Sequence, residues 1–437
     1  MKILLVDPNY ALGKGILDRF KLRLFGTPYI TLQQLATITP EKHSIEILDE
    51  TFEKIDFNKK YDLVGITSCT PSAPRAYEIA DRFRNEGVIV VLGGYHPSGL
   101  PMEAKLHADS VVIGEAENSW PILLKDLENN KLREFYHSKK PADLSILKPI
   151  RRDIGESNFA SARIEATRGC PIRCEFCSIS NSRIGWHVFR KKPVENVIRE
   201  LELIPQRFIA FCDTSLTIDV EYSISLFKEM KHLNKRFICY GNSNILNRNE
   251  RLLKYANEAG CTLWNIGFDS FSQEALDNSG KRINIVKEYA SVVKKIHDHG
   301  MAVLAQIIFG FDAETKDIFD FTIETVKQVK IDIPSFNILT PFPGTPLFDR
   351  LNKEERILTK DWSKYDLTQV VYKPKNMSPQ DLQNGFYKAV ESFHNYNNLL
   401  QRQLKTMKLG FNTSIGTFFQ NIYELGVYKK ILSQKSV

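Results

Sequence analysis

Three cysteines in one short segment could hold a metal centre. Cys170, Cys174 and Cys177 are spaced C-x-x-x-C-x-x-C, and Gly169 and Pro171 flank the first of them, which predicts a loop. Thiolates are ligands for zinc and for iron–sulfur clusters, and four ligands complete either site. Three thiolates on a four-iron cluster would leave one iron open to a substrate or a cosubstrate. The spacing therefore indicates a metal centre with one open position.

Zinc is an alternative that the spacing leaves open. A structural zinc site needs a fourth ligand, and the nearest downstream candidate is His187. Three buried cysteines without a metal are the other simple interpretation.

The triplet follows the first of six strand-like segments in the second part of the chain. Helical patterns separate these segments, for example at 220–233 and 286–299, so the order predicts parallel strands. Six strands are too few for a closed eight-unit barrel. The six predicted strands are 161–166, 207–212, 236–242, 262–268, 302–309 and 335–338.

The first 140 residues also alternate strand and helix, which predicts an open, doubly wound parallel sheet. Its strands are predicted at 2–7, 44–49, 63–67, 88–93 and 110–113, and its helices at 31–37, 73–86 and 118–127. Ligands of such sheets bind at the carboxyl ends of the strands. The candidates there are Thr67, Ser68, Gly93, Gly94, His96, Gly114 and Glu115. A phosphate loop is not indicated, because Gly13 and Gly15 lack a third glycine at the dinucleotide spacing.

The remaining segments divide the chain further. We expect a linker at 141–160, the six-stranded unit at 161–350 and a helical cap over the mouth of that unit at 351–437. Within the cap, 379–400 is helical in pattern, and 411–432 is rich in Phe, Tyr, Leu and Ile. The second segment is either a helix packed on the core or an apolar lid or interfacial surface for a greasy substrate.

Composition indicates a protein of the reduced cytoplasm. Cys69, Cys212, Cys239 and Cys261 are scattered in apolar runs and are not spaced as a disulfide framework. The net charge of +7 is dispersed, so nucleic acid is not an expected partner. The longest apolar stretch, 301–311, is too short to span a membrane, and residues 1–7 read as a strand and not as a signal peptide.

With Phe176 in the aromatic position, the triplet resembles the C-x-x-x-C-x-aromatic-C signature of the radical S-adenosylmethionine (SAM) enzymes. The resemblance implies a 4Fe-4S cluster whose open iron chelates SAM, with Phe176 beside the adenine. It also implies that the six strands form an open partial barrel. Polar residues at the other strand ends would then hold SAM: Asp213, Ser243, Asp269 and Gln306. Asp213 and Asp269 could instead cap helices, and the acidic pair that the family usually carries on the second strand is absent.

The first unit resembles the cobalamin-binding domain that precedes many of these enzymes. The resemblance rests on the strand end at 65–68, the Gly-Gly-x-His-Pro turn at 93–97 and the run at 113–117. Asn9 stands where the family's cobalt-ligating His would fall, so this loop would supply no His to cobalt. His96 is either a cofactor contact or a turn residue that faces solvent.

The whole chain resembles cobalamin-dependent radical SAM enzymes that act on tetrapyrroles and hopanoid-type lipids. The resemblance implies methyl transfer from SAM through cobalamin to an unactivated carbon of an apolar or tetrapyrrole-like small molecule. It further implies an external electron donor such as flavodoxin or ferredoxin, and it is compatible with peripheral membrane contact. The alternatives are a non-methylating radical cyclase, an iron–sulfur or cobalamin sensor, and a zinc-stabilised structural protein.

Overall fold

The computed structural model describes residues 1–9, 16–26, 29–154, 159–180 and 188–433. Gly13, Gly15 and His187, which the sequence singled out, lie outside these ranges. Among the described residues, no helix has the length and apolar character needed to cross a membrane.

The first sheet has six parallel strands in the order β2-β1-β3-β4-β5-β6. They are β1 (Lys2–Asp7), β2 (Ser44–Asp49), β3 (Leu63–Thr67), β4 (Ile89–Gly93), β5 (Ser110–Ile113) and β6 (Phe135–His137). The helices are α1 (Ile16–Phe25), α2 (Thr31–Ile38), α3 (Ala73–Asn85), α4 (Tyr95–Gly99), α5 (Pro101–His107) and α6 (Trp120–Glu128). The chain reverses direction across the sheet at β1, which confirms the doubly wound prediction. Strand β6 was not predicted.

Alternating side chains of the first sheet are buried on both faces. Leu4 and Val6 pack on one face with Phe83 of α3, and Ile3 and Leu5 pack on the other. Burial on both faces explains why the strands of this sheet are almost wholly apolar in sequence.

The second sheet is also parallel, in the order β14-β13-β12-β11-β10-β7. Its strands are β7 (Ser161–Ile164), β10 (Phe208–Phe211), β11 (Arg236–Gly241), β12 (Cys261–Asp269), β13 (Ala302–Phe309) and β14 (Ile333–Ile338). A separate two-stranded ribbon joins β8 (Thr167–Arg168) to β9 (Arg190–Lys191). The six predicted strands are therefore present, but the first is shorter than predicted, because the chain turns between β7 and β8.

Helices cover one face of the second sheet and continue into the tail. They are α7 (Val194–Leu203), α8 (Val220–Met230), α9 (Ser243–Arg248), α10 (Glu250–Ala259), α11 (Gln273–Asn278), α12 (Tyr289–Asp298), α13 (Ile318–Val329), α14 (Pro346–Lys353), α15 (Pro379–Phe393), α16 (Tyr396–Thr406) and α17 (Phe411–Ser433). The predicted single helix at 379–400 is wrong. Asn395 caps α16 by accepting a hydrogen bond from the Asn398 N–H, and the preceding His394 is buried against the Pro334 carbonyl.

Helix α17 packs on the partial barrel, which confirms the first of the two interpretations of its sequence. It begins at the amino ends of the strands, where Thr413 donates a 2.8 Å hydrogen bond to the Gly300 carbonyl. It then reaches the edge strand β14, where the Tyr428 hydroxyl accepts a hydrogen bond from the Phe336 N–H (2.7 Å) and donates one to its carbonyl (2.9 Å). An edge strand carries unpaired backbone groups that need such partners, which explains the position of the helix.

Removing the Tyr428 hydroxyl should destabilise the fold. Tyr428→Phe leaves the buried N–H and C=O of Phe336 without that partner, and we expect a loss of about 1–3 kcal/mol in the free energy of unfolding. Urea unfolding monitored by circular dichroism measures it. The control is Tyr396→Phe on exposed α16, for which a change below about 0.5 kcal/mol is expected. Equal losses for the two variants would contradict the role of Tyr428.

Candidate active site

The loop that carries the three cysteines leaves the first strand of the partial barrel through a fixed turn. Buried Asp213 accepts hydrogen bonds from the Ala166 N–H (3.2 Å), the Thr167 N–H and the Thr167 hydroxyl (2.5 Å). Burial raises the pKa of Asp213 to about 7. Asp213 was predicted to contact SAM. In the structure its carboxylate instead accepts hydrogen bonds from the backbone that leads into the loop.

Two other segments, around Ser279 and Arg350, also hold the loop. The Glu175 N–H donates to the Ser279 carbonyl (3.0 Å), and Arg350 binds the Glu175 carboxylate at 2.8 Å. Gly280 has φ +78°, and a Cβ there would lie 2.7 Å from the Arg173 carbonyl oxygen. Phe176 packs edge-on against Phe311, with ring centroids 5.6 Å apart. The backbone of the loop is therefore held before any metal binds.

A buried ion pair stands beside the triplet. Lys281 Nζ lies 2.9 Å from Asp269 Oδ2, and Asp269 adopts φ +61° at a register shift in β12. Burial lowers the pKa of Lys281, but Asp269 and Cys174 more than offset it, so the pKa is raised. Sequence reasoning missed Lys281, although it lies only twelve residues after Asp269 in the loop that meets the triplet. Left-handed backbone at a non-glycine residue is concentrated at functional sites.

The three thiols are not grouped as ligands of a single ion. Burial raises the pKa of Cys174 to about 12, so its thiolate needs a positive centre. A zinc ion with bonds of about 2.3 Å would draw its thiolates to about 3.8 Å from one another. A four-iron cluster spaces them more widely, since each thiolate binds a different iron. Across the described residues, no three His, Cys, Asp or Glu side chains are grouped as a single ion requires.

The carboxyl ends of β3 and β4 form a glycine-lined cradle. Gly94 has φ +100°, and a Cβ there would lie 2.6 Å from the Ser68 carbonyl oxygen and 2.9 Å from Thr67 Oγ1. Gly93 accepts a hydrogen bond from the Ser68 N–H at 2.9 Å, and the Gly114 N–H donates to Ser98 nearby. The buried Ser68 hydroxyl has no hydrogen-bond partner within the described part of the chain. Gly94 thus lets two strand ends approach closely, and the unused Ser68 hydroxyl beside them is suited to bind a cofactor.

His96 is buried, so its interpretation as a solvent-facing turn residue is wrong. Its Nε2 lies 3.1 Å from Glu103 Oε1, which also accepts a hydrogen bond from the Trp362 indole N–H at 2.9 Å. Trp362 belongs to the C-terminal region, so this contact joins that region to the first sheet. Whether His96 also touches a cofactor stays a prediction.

Charged side chains join the carboxyl ends of the two sheets. Glu115, which was predicted to contact cobalamin, accepts hydrogen bonds from Arg190 Nη1 (2.8 Å) and the Ala142 N–H (2.7 Å). Arg168, two residues before Cys170, binds Glu117 at 2.7 Å. Burial alone would raise the pKa of Glu115. The charges of Arg190 and Arg168 lower it by more, so the pKa lies below its usual value. These long-range pairs were not predicted from the sequence.

Tyr95 lies between the two ends. It directly follows Gly94 of the cradle and keeps 54% of its surface accessible. The charges of Cys177, Arg168 and Glu165 act on its hydroxyl, and burial raises its pKa to about 12. Tyr95 is therefore an accessible side chain of the cradle within electrostatic reach of the cysteine loop.

The last two predicted SAM contacts are Ser243 and Gln306. The Ser243 hydroxyl lies 3.4 Å from Asn284 Oδ1 at the start of α9. Gln306 Oε1 accepts a hydrogen bond from Asn337 Nδ2 at 3.1 Å on the neighbouring strand. The structure thus brings Asp269 and Phe176 to the triplet, whereas Ser243 and Gln306 have partners of their own.

A side chain at Gly94 should weaken the binding of cobalamin to the cradle. We expect Gly94→Ala to weaken cobalamin binding at least tenfold, because its Cβ would collide with the backbone of Ser68. Gly87→Ala is the matched control: it has φ +78° but no atom within 4 Å of the added Cβ, so it carries the backbone strain without the collision. Absorbance titration with cobalamin measures both. Equal affinities would show that the cradle is not the binding surface.

Three family models match the chain in series. A model of the B12 binding domain matches residues 34–124, and a model of the Radical SAM superfamily matches residues 164–326. A domain of unknown function, DUF4070, matches residues 345–430. The first two matches confirm the predicted cofactors: a 4Fe-4S cluster, SAM and cobalamin.

Curated relatives and solved structures agree with this order. The chain is 31% identical over 388 residues to bacteriochlorophyllide d C-12(1)-methyltransferase of Chlorobaculum tepidum, covering 85% of this chain and 84% of that protein. The C-8(2)-methyltransferase of the same organism is also 31% identical, over 86% and 87% of the two chains.

Among solved structures, the cobalamin-dependent SAM radical enzyme OxsB, with aqua-cobalamin and SAM bound, superposes with a TM-score of 0.68 at 14% identity. The match covers 95% of this chain and 72% of that one. It confirms the fold class: a doubly wound sheet, a six-strand partial barrel and a helical C-terminal region. The methyltransferase relatives favour an enzyme over the sensor and structural alternatives. The chain belongs to the cobalamin-dependent radical SAM methyltransferases.

Proposed function

We propose that this chain methylates an unactivated carbon of a small molecule held between its two sheets. The observation that carries the proposal is that Tyr95, directly after Gly94 of the cradle, lies within electrostatic reach of Cys177 and Arg168 at the cysteine loop. When bound, the cluster with SAM supplies a radical that removes hydrogen from carbon, and cobalamin supplies the methyl group. The chain's share is to hold both cofactors against one substrate position and to exclude water.

We assign roles to the residues at the triplet on their contacts. Cys170, Cys174 and Cys177 would bind the cluster, and the backbone near Phe176 would lie against the adenine. The Lys281 ammonium, between Asp269 and Cys174, is suited to hold the carboxylate of SAM. Asp213 supports the turn before the loop.

The residues predicted to bind cobalamin also have two different roles: some would contact the cofactor, and one would hold the two sheets together. Thr67, Ser68, Gly93, Gly94 and Gly114 would form the surface for cobalamin. Glu115 would act as a clamp between the two sheets instead of a direct contact.

A tetrapyrrole-like substrate is the class we propose. The two relatives named above act, by their names, on bacteriochlorophyllides, and both align over most of this chain. We further infer that a reduced flavodoxin or ferredoxin of the cytoplasm supplies the electron, since a SAM-cleaving cluster needs a low-potential donor.

The triplet should be required for SAM cleavage. Reconstituted protein with dithionite, cobalamin and SAM should form 5′-deoxyadenosine, measured by liquid chromatography. Cys174→Ala should lower the rate at least about 100-fold, because a cluster bound by two thiolates loses its fixed open iron. The control is Cys261→Ala, a buried cysteine of the barrel core that should keep the rate. A Cys174→Ala protein as active as wild type would rule out the proposal.

Peripheral membrane contact is supported by one exposed apolar stripe. Leu400, Leu404, Met407 and Phe411 are 56–80% exposed, and their spacing of three or four places them on one side of α16 and the turn into α17. Lys405 and Lys408 stand among them. Apolar side chains beside lysines suit the surface of an anionic bilayer.

Vesicle binding tests this surface. The protein should sediment with vesicles of phosphatidylcholine and phosphatidylglycerol, and Leu404→Glu with Phe411→Glu should lower the bound fraction at least about fivefold by removing apolar insertion. Phe321→Glu, on exposed helix α13, is the control and should bind as wild type. Undiminished binding of the double variant would contradict the contact.

A further inference from the structure

The interior of the partial barrel changes from packed to hollow along β11. Ile238 packs on an apolar floor with Leu263, Leu304 and Leu409. Tyr240, two residues further on the same face, is 39% exposed, although β11 is hydrogen-bonded on both sides. A central strand exposes an inward side chain to this extent only if an open space lies beside it. An open space therefore lies beside Tyr240 on the inner face of β11, above this floor.

A buried amide with an unused oxygen borders the hollow. Asn265 is in register with Tyr240 on the neighbouring strand, so the two side chains share the inner face. Asn265 is 7% exposed, and its Oδ1 has no hydrogen-bond partner in the described ranges. Such an orphaned acceptor costs free energy unless a ligand or water supplies a donor.

A buried carboxyl group of α17 lies within electrostatic reach of Tyr240. Glu424 is 8% exposed and accepts one hydrogen bond, from Gln420 Nε2 at 3.1 Å on its own helix. Within the described residues it forms no salt bridge. Burial raises the pKa of Glu424 to about 7, and its charge acts on the hydroxyls of Tyr240 and Tyr423.

One cation of these surroundings is Arg163, on β7. Its guanidinium lies over the ring of Tyr29, 5.0 Å from the centroid, and its charge also acts on Tyr240 and Tyr423.

We propose that Asn265 and Glu424 form an acceptor site that binds the end of the substrate carrying N–H or O–H groups, either a hydroxyl or an ammonium group. Two buried acceptors are satisfied by donors and repel a carboxylate. The inference rests on the proposed function and deepens it, since it places a polar substrate end below the reacting carbon. An entirely apolar substrate would leave both acceptors unsatisfied.

Three fluorinated probes with one tail and different ends test the site. They are 4,4,4-trifluorobutylamine, 4,4,4-trifluorobutanol and 4,4,4-trifluorobutanoate, titrated into cofactor-loaded protein and followed by fluorine NMR. At about pH 8 most of Glu424 is ionised, and the amine and the alcohol should bind at least about tenfold more tightly than the carboxylate. Glu424→Gln should weaken the amine at least about tenfold and the alcohol less, and Asn265→Leu should weaken both. Glu221→Gln, on the outer helix α8, is the control.

The outcomes separate this inference from the proposed function. A carboxylate that binds as well as the amine, probe binding unchanged in both variants, or no probe binding at all would each overturn the acceptor site. SAM cleavage by wild-type protein is scored separately and reports only on the proposed function. An enzyme that cleaves SAM but shows no preference for donors would refute the acceptor site alone.

Discussion

The position of the active site depends on the ionic contact between the carboxyl ends of the two sheets. Arg168 contributes its guanidinium from the residue just before the cysteine loop, and Glu117 and Glu165 bind it from opposite sides at 2.7 Å. Burial lowers the pKa of Arg168, but the two carboxylates outweigh it and the net shift is upward. A buried charge that loses one partner costs about 3–5 kcal/mol. The contact therefore fixes the distance between the surface for cobalamin and the loop for the cluster.

This arrangement suits radical chemistry, because a carbon radical reacts with whatever lies closest. Both cofactor surfaces are formed by backbone held from several directions, through Asp213, Glu175 and the glycine at position 94. Rigid positioning lets the protein control a reaction in which it makes no covalent bond itself. The C-terminal region adds to this rigidity, because α17 packs against the amino end of β13 and against the edge strand β14. It also carries the buried side chain of Glu424.

The cofactors of the site could be predicted from the sequence, whereas the partners of most of its side chains could not. The cysteine triplet was recognisable because its spacing is local, and the strands were recognisable because burial imposes apolar runs or alternation. The roles of Asp213 and Glu115 could not be predicted, because their partners lie 27–75 positions away along the chain. Lys281 and Glu424 were missed for the same reason: a charged residue acquires a function only from what the fold brings beside it. The sequence left two interpretations of α17 open, because its apolar composition fits a helix packed on the barrel and an exposed lid alike.

The central claim is that both cofactors face one substrate position. Pulsed electron paramagnetic resonance measures this directly on protein that holds paramagnetic cobalt(II) cobalamin and the one-electron-reduced cluster. The account predicts that reducing the cluster shortens the relaxation time of the cobalt signal and adds a dipolar coupling to it. A cobalt signal that is unchanged when the cluster is reduced, with both cofactors bound in full, would contradict it.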